Sequence, residues 1–298
     1  MSVEFCGLRL AHPVINGSGT FDAIAARQAF GEPLAAAFPF AAYVSKTITL
    51  EPRAGNPPPR LWETPAGLVN SIGLPNKGLA AYLAEDLPQL SGFQGDPLAS
   101  PDGASHPVPV ITNVMGPTGE ELARLVEACD EPAAIAAIEL NVSCPNVSTG
   151  LDIGADPVYL EAVIAALRDR TAKPLIVKLT PNAADVPACA QAAEAAGADA
   201  VSLINTLRAS ALAPGRAGAR PWLGGGTGGL SGPAIRPVAL AQVAAVAERV
   251  SIPVVGMGGV QSSSHARDLL DVGATLVAVG TESFRDPAAG ARIAAGLI

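Results

Sequence analysis

The stretch Glu139-Leu-Asn-Val-Ser-Cys-Pro-Asn-Val-Ser148 leaves an apolar run (Ala136, Ala137, Ile138, Leu140) and breaks into a polar loop presenting Asn141, Ser143, Cys144 and Asn146. Open α/β sheets and α/β barrels keep their chemistry at the carboxyl ends of their strands. A core strand ending in so many capable side chains fits that placement. It also fits a plain turn, because proline flanked by Asn and Ser is ordinary turn composition. The stretch alone leaves both readings open, and the rest of the chain separates them.

Working outward, β-type runs alternate with helical segments eight times. The runs cover 13–16, 42–47, 110–114, 135–141, 175–179, 200–204, 253–256 and 275–279. Most are nearly continuous in apolar residues, as parallel strands covered on both faces must be. The helices between them carry their own punctuation. Asp156-Pro157 reads as an N-cap with proline at the first helical position, and Leu160, Val163, Ile164 and Leu167 then make one apolar face. The helices around 183–196 and 264–272 run into Gly197 and Gly273, where a left-handed C-cap is needed. Eight such units in 298 residues favour an α/β fold of the (β/α)8 TIM-barrel type, one domain over 1–298, above a doubly wound sheet. Insertions are expected after strands two and three and before strand seven. The Pro-rich segment 51–77 and the Gly-, Pro- and Ser-rich excursion 90–109 break the alternation.

Composition narrows the function. A net charge of −8 with 4% aromatic residues offers neither a basic stripe nor a stacking platform for nucleic acid. No apolar run reaches the roughly 20 residues of a membrane span, and the start, Met1-Ser-Val-Glu-Phe5, has no basic n-region of a secretory signal. Cys6, Cys129, Cys144 and Cys189 are scattered without a C-x-x-C pair, which argues against a disulfide framework, a zinc site or an iron–sulfur cluster held by this chain. No metal ligands cluster. The expectation is a cytoplasmic protein with no membrane and no nucleic-acid partner.

The strand ends are asymmetric. The carboxyl ends carry Asn16-Gly-Ser-Gly-Thr20, Ser45-Lys46-Thr47, Asn113, Asn141 with its loop, Lys178 with Thr180, Asn205-Thr206, Gly256-Met-Gly-Gly259 and Gly280-Thr281. The opposite ends carry mostly Pro, Gly, Ala and Asp. In a barrel that asymmetry marks an enzyme. Gly258, Gly259, Gly280 and Thr281 close the last two strands, where backbone N–H groups can approach a phosphate such as that of FMN. Lys178 interrupts an apolar strand, and burying it costs several kcal/mol unless it is paired or neutral. It reads as a Schiff-base nucleophile or as a cation over a ring that becomes anionic, such as reduced flavin. Cys144 offers a thiol in a loop. His12, His106 and His265 all lie away from the strand ends, which favours proton transfer by Cys144 itself over a Cys–His pair.

At this point the motifs resemble the class 1 dihydroorotate dehydrogenase family, from about residue 3 to residue 287. The resemblance rests on Asn141-Val-Ser-Cys-Pro-Asn146, Glu51-Pro-Arg-x-Gly-Asn-Pro57, Asn70-Ser-Ile-Gly-Leu74, Ile204-Asn-Thr206, Gly228-Gly-Leu-Ser-Gly-Pro-Ala-Ile235 and Gly256-Met-Gly-Gly259, in that family's order. The Ile-Asn-Thr and Leu-Ser-Gly-Pro-Ala-Ile segments look most like the NAD-linked class 1B catalytic subunit. The resemblance implies an FMN barrel oxidising (S)-dihydroorotate to orotate in pyrimidine biosynthesis. It implies Cys144 as the base that removes the C5 proton while the C6 hydride goes to flavin N5. Substrate would be held by Lys46, Asn70, Ser71, Ile72, Gly73, Leu74, Asn141, Asn205 and Thr206. FMN would be held by Ser18, Lys46, Thr47, Asn113, Asn141, Lys178, Ile204, Gly232, Gly258, Gly259, Gly280 and Thr281. It further implies a partner subunit carrying FAD and a 2Fe-2S cluster that passes electrons to NAD⁺, and a homodimer within a heterotetramer. The excursion 90–109 and the Gly-rich segment 216–226, with Trp222, depart from the family pattern. Alternatives are a fumarate-linked class 1A homodimer, a reductase of other pyrimidines, and a Schiff-base lyase using Lys178 without flavin.

Overall fold

The computed structural model describes residues 2–98, 100, 103–143, 153–213, 215 and 220–297. Its centre is an eight-stranded parallel sheet. In chain order the strands are β1 (Val14–Asn16), β2 (Tyr43–Val44), β3 (Val110–Val114), β4 (Ile135–Asn141), β5 (Leu175–Lys178), β6 (Ala200–Leu203), β7 (Val254–Met257) and β8 (Leu276–Val279). Neighbours follow sequence order from β2 through β8, and β8 then pairs with β1. The ring closes between β1 and β2 by other bonds. Ala41 N–H donates to the Val14 carbonyl at 3.0 Å. The buried Asn16 amide accepts from Val44 N–H at 2.8 Å and donates to the Val44 carbonyl at 2.8 Å. One side chain thus stands in for a rung of the ladder, and the expected (β/α)8 barrel is what forms.

Period-2 alternation sorts each strand between two apolar cores. Inward residues such as Ile15, Val44, Ile111, Ala137, Ile176, Ala200, Val255 and Leu276 fill the barrel, whose amino-terminal end is plugged by Phe5 and Leu10. Those two come from a hairpin, Val3–Phe5 with Leu8–Leu10, turned at Cys6 and Gly7, both at positive φ. Outward residues pack beneath helices including Gly119–Asp130, Pro157–Arg168, Val186–Ala195, Arg236–Ala247 and Ser263–Asp271. Asp156 caps its helix as expected, accepting from Val158 and Tyr159 N–H. Gly197 and Gly273 take φ of +92° and +107° at the expected helix ends.

The insertions sit differently from the expectation. Residues 51–77 follow β2, but the excursion 90–109 precedes β3 rather than following it, and β3 leads almost directly into the helix Gly119–Asp130. The excursion bonds Phe38 and Ala35 through Gln94, and Pro109 accepts from Tyr43 N–H at the start of β2. It therefore lies at the amino-terminal end of the barrel. The segment 51–77 contains a hairpin, Leu61–Thr64 with Gly67–Asn70, which joins Gly228–Ser231 and Leu207–Ala209 in a four-stranded antiparallel sheet over the carboxyl end. This roof uses the insertion ahead of β7. Among the described residues no helix is long and apolar enough to cross a membrane.

Candidate active site

The barrel interior turns polar where its strands end. Inward positions above the apolar layers are Asn113 on β3, Glu139 and Asn141 on β4, Lys178 on β5 and Ser202 on β6, all buried. Strand register puts Asn141 beside Lys178, and Lys178 beside Ser202. Lys178 is 6% exposed. Among the described residues its Nζ meets no carboxylate within ion-pair distance.

A line of hydrogen bonds crosses the mouth. Asn141 Nδ2 donates to Thr47 Oγ1 at 3.2 Å, while Asn141 Oδ1 accepts from Ser143 Oγ at 2.8 Å. Ser143 Oγ in turn accepts from Asn205 Nδ2 at 2.5 Å. Ser18 reaches the same corner, donating to the Ser45 carbonyl at 2.8 Å and lying 3.4 Å from Thr47 Oγ1. Ends of β1, β2, β4 and β6 are thereby fixed to one another. Lys46 stays exposed beside them. Cys144 follows Ser143 directly and lies outside the described residues, as do Pro145 and Asn146.

Opposite this line is a glycine-lined corner. Gly258 and Gly259 have φ of +134° and +70°, and Gly232 has +90°. A Cβ on Gly258 would come within 2.7 Å of Ala239 Cβ, one on Gly259 within 2.9 Å of the Gly232 carbonyl, and one on Gly232 within 3.5 Å of Thr281 Cγ2. Side chains are excluded there on both steric and conformational grounds. Gly280 leads into the short helix Thr281–Phe284, and Thr281 Oγ1 donates to Ser231 Oγ at 2.9 Å. Ile204 packs on this corner from β6, its Cγ1 3.3 Å from the Cβ position of Gly258.

The Asn70–Leu74 motif hangs from the roof. Asn70 Nδ2 donates to the Gly229 carbonyl at 3.3 Å, tying it across the sheet. Ser71 N–H donates to the Arg60 carbonyl at 2.8 Å, and the Ile72 carbonyl accepts from Asn56 N–H at 3.0 Å. Gly73 and Leu74 both have positive φ, +77° and +54°, a conformation that costs a leucine energy and persists where surroundings enforce it. Thr206 lies under the roof, where Gly229 leaves no room for a Cβ beside its Oγ1. All the described positions expected from the sequence thus collect at one end of the barrel.

Sequence reasoning gave no role to three groups that touch these positions. Glu139 accepts from Asn113 Nδ2 at 2.5 Å and from Ser202 Oγ at 2.7 Å. The signal was present, since Glu139 interrupts an apolar strand just as Lys178 does. Asn56 grips Ser71 through its amide, and Gly225 packs against both. The remaining cysteines and histidines stand apart. Cys129 is buried among helix residues, His12 lies at the foot of β1, and His265 accepts from Gln261 N–H.

A family model described as dihydroorotate dehydrogenase matches residues 1–298. The dihydroorotate dehydrogenase B (NAD(+)) catalytic subunit of Desulforudis audaxviator is 44% identical over 300 residues, covering 99% of this chain and 91% of that protein. The catalytic subunit of the same name from Trichlorobacter lovleyi is 44% identical over 301 residues, covering 100% of this chain and 92% of that protein. A third, from Pelobacter propionicus, is 43% identical over 301 residues, with 100% and 92% covered.

Proposed function

The chain belongs to the dihydroorotate dehydrogenase family, and from that premise we propose that it oxidises (S)-dihydroorotate to orotate in pyrimidine biosynthesis, with FMN as resident cofactor. The observation that carries this reading is the hydrogen-bonded line Thr47–Asn141–Ser143–Asn205 running beside a buried Lys178 that forms no ion pair among the described residues. A dry lysine that forms no ion pair among the described residues is matched to a ligand that gains negative charge.

The residues present fit FMN on their own chemistry. At Gly232, Gly258 and Gly259 packed protein leaves no room for a Cβ, so the backbone N–H groups of this corner carry no side chains that would keep a phosphate away. Asn113 Oδ1 is buried with no hydrogen-bond partner among the described residues, an acceptor waiting for a donor that the protein does not supply. Gly232, Gly258, Gly259, Gly280 and Thr281 would hold the phosphate end. Ser18, Lys46, Thr47, Asn113, Asn141, Lys178 and Ile204 would hold the ring and its chain. When bound, FMN supplies a hydride acceptor at its N5.

Substrate would lie between that ring and the roof. Lys46, Asn70, Ser71, Ile72, Gly73, Leu74, Asn141, Asn205 and Thr206 would orient its carboxylate and amide groups. The roof sheet would exclude water from the reacting carbons. Cys144 Sγ would take the C5 proton as C6 gives up its hydride. The barrel and its roof act as one unit over 1–298 in this reading.

The matched relatives are named NAD⁺-linked catalytic subunits, which supports a partner that completes electron transfer. That partner would carry FAD and a 2Fe-2S cluster, in a heterotetramer built on a homodimer of this chain, in the cytoplasm. Co-purification of an FAD protein with this chain favours NAD linkage over a fumarate-linked homodimer. For the chemistry itself, Cys144→Ser is expected to slow substrate-driven flavin reduction by at least about 100-fold, because a hydroxyl is a far weaker base at neutral pH. Reduction at the unaltered rate would remove Cys144 from that role.

A further inference from the structure

Glu139 is a carboxylate at the top of a dry barrel. It is 4% exposed, and its two donors, Asn113 and Ser202, are themselves 0% exposed. Asn113 stands at the paired position on β3, and its Nδ2 lies 2.5 Å from Glu139 Oε2. Ser202 reaches across from β6 to Oε1 at 2.7 Å. Among the described residues no arginine, lysine or histidine forms an ion pair with this carboxylate. Holding a charge-bearing group there with neutral donors is costly. A glutamine would satisfy the same space at less cost, so the acidic residue needs a reason.

The reason lies in hydrogen-bond polarity. A carboxylate accepts and cannot donate, whereas the Asn113 amide has one accepting end and one donating end. Glu139 therefore compels Asn113 to turn its NH₂ inward, and the accepting Oδ1 is left buried and without a partner among the described residues. An unpaired buried acceptor is destabilising unless a bound group supplies the hydrogen. With glutamine at 139 the amide could turn over, because glutamine can donate to Oδ1 and the NH₂ would then face the ligand.

From this we infer that Glu139 is a positioning residue which fixes the Asn113 amide so that the site offers an acceptor to a ring N–H of its ligand. The inference rests on the flavin reading above and specifies it. Oxidised FMN carries one ring N–H, the imide between two carbonyls, and dihydroorotate carries a similar imide. The assignment is to the cofactor, since Asn113 lies on the barrel strand below the mouth rather than on the roof.

The test strips the purified chain of flavin and titrates it with FMN and with FMN methylated at the imide nitrogen, following flavin fluorescence. The unaltered chain should prefer FMN by about tenfold or more, the cost of leaving one buried acceptor unpaired. Glu139→Gln should weaken FMN binding by about tenfold and reduce the preference to less than about threefold. Ser202→Ala removes the other donor and should keep the preference, which separates amide positioning from general loosening of the core. Thermal melting of each stripped variant checks that the barrel persists. Should Glu139→Gln fail to fold, Asn113→Asp, whose carboxylate accepts in either orientation, must keep the preference, and Asn113→Leu, which has a similar shape but no acceptor, must abolish it. A Glu139→Gln protein that keeps both affinity and preference overturns the inference and leaves the flavin reading standing. An unaltered chain that binds FMN without discrimination does the same. Discrimination between dihydroorotate and its imide-methylated form that is lost in Glu139→Gln, with FMN discrimination absent, would move the acceptor to substrate and overturn the cofactor assignment. An unaltered chain that binds no FMN overturns both readings.

Discussion

Asn56 binds Ser71 twice, its Nδ2 donating to the Ser71 carbonyl at 3.2 Å and to Ser71 Oγ at 3.0 Å. The two residues come from opposite ends of the 51–77 insertion, and a Cβ on Gly225 would stand 2.8 Å from Asn56 Nδ2. Gly224 N–H donates to the Pro59 carbonyl at 2.8 Å, and Trp222 meets Trp62 edge to face at 5.6 Å. The described part of the Gly-rich segment, 220–226, thus buttresses the motif proposed to hold substrate. Gly225→Ala is expected to raise KM for dihydroorotate by about tenfold, the scale of one or two displaced hydrogen bonds. Flavin content should stay unchanged. Steady-state kinetics beside a flavin-to-protein absorbance ratio checks it, and lost flavin with normal KM would refute the division of labour.

Lys178 sets function against stability. Removing a buried lysine that forms no ion pair among the described residues relieves the flavin-free barrel while stripping the ligand's partner. Lys178→Met is therefore expected to melt no lower than the unaltered chain when both are flavin-free. With FMN it should bind at least about tenfold more weakly. Paired melting curves with and without FMN decide, and a flavin-free variant that melts well below its parent would contradict the account.

His12 makes the barrel acid-sensitive at its foot. Burial pulls its imidazole from the ordinary 6.5 down to about 4, while its Nδ1 accepts from Val14 N–H at 3.2 Å. Above about pH 6.5 both folded and unfolded chains hold it neutral, so its stabilising effect is complete. As pH falls toward 4 the unfolded chain takes a proton that the folded chain refuses, and stability drops by roughly 2 kcal/mol at pH 5. His12→Asn should lose less stability than the unaltered chain between pH 7.5 and pH 5 in urea unfolding. Equal losses would contradict it.

The thiols outside the mouth are expected to be silent. Burial pushes Cys129 up to about 12, and burial with the nearby Asp199 pushes Cys6 up to about 12. Cys6 Sγ also donates to the Asp199 carbonyl at 3.4 Å. Native Cys144→Ser protein should therefore resist iodoacetamide at pH 8 and react once denatured. Mass spectrometry reads the result, and labelling of Cys6 or Cys129 in the native protein would refute it.

Local grammar made the barrel legible. Apolar runs, N-caps at Asp156 and glycines at 197 and 273 are decided by neighbours in sequence, and the structure keeps all of them. Edges shifted where a side chain ended a ladder early. The run 42–47 is strand over Tyr43–Val44 alone, because beyond it Ser45 Oγ accepts from Asn113 N–H at 3.0 Å. The helix expected from 183 starts at Val186, because Asp185 caps it. The roof was not legible, since Gly228–Ser231 has little strand propensity and its partner Gly67–Asn70 is remote in the chain. Glu139 was missed for a related reason. Its meaning depends on Asn113 and Ser202, which only barrel closure brings to it.

The account stands most directly on one measurement, the visible absorption spectrum of the purified chain under anaerobic conditions before and after dihydroorotate is added. The account predicts an oxidised flavin band that bleaches on addition of substrate. A chain with no flavin band, even after reconstitution with FMN, or a band that stays oxidised, would contradict it.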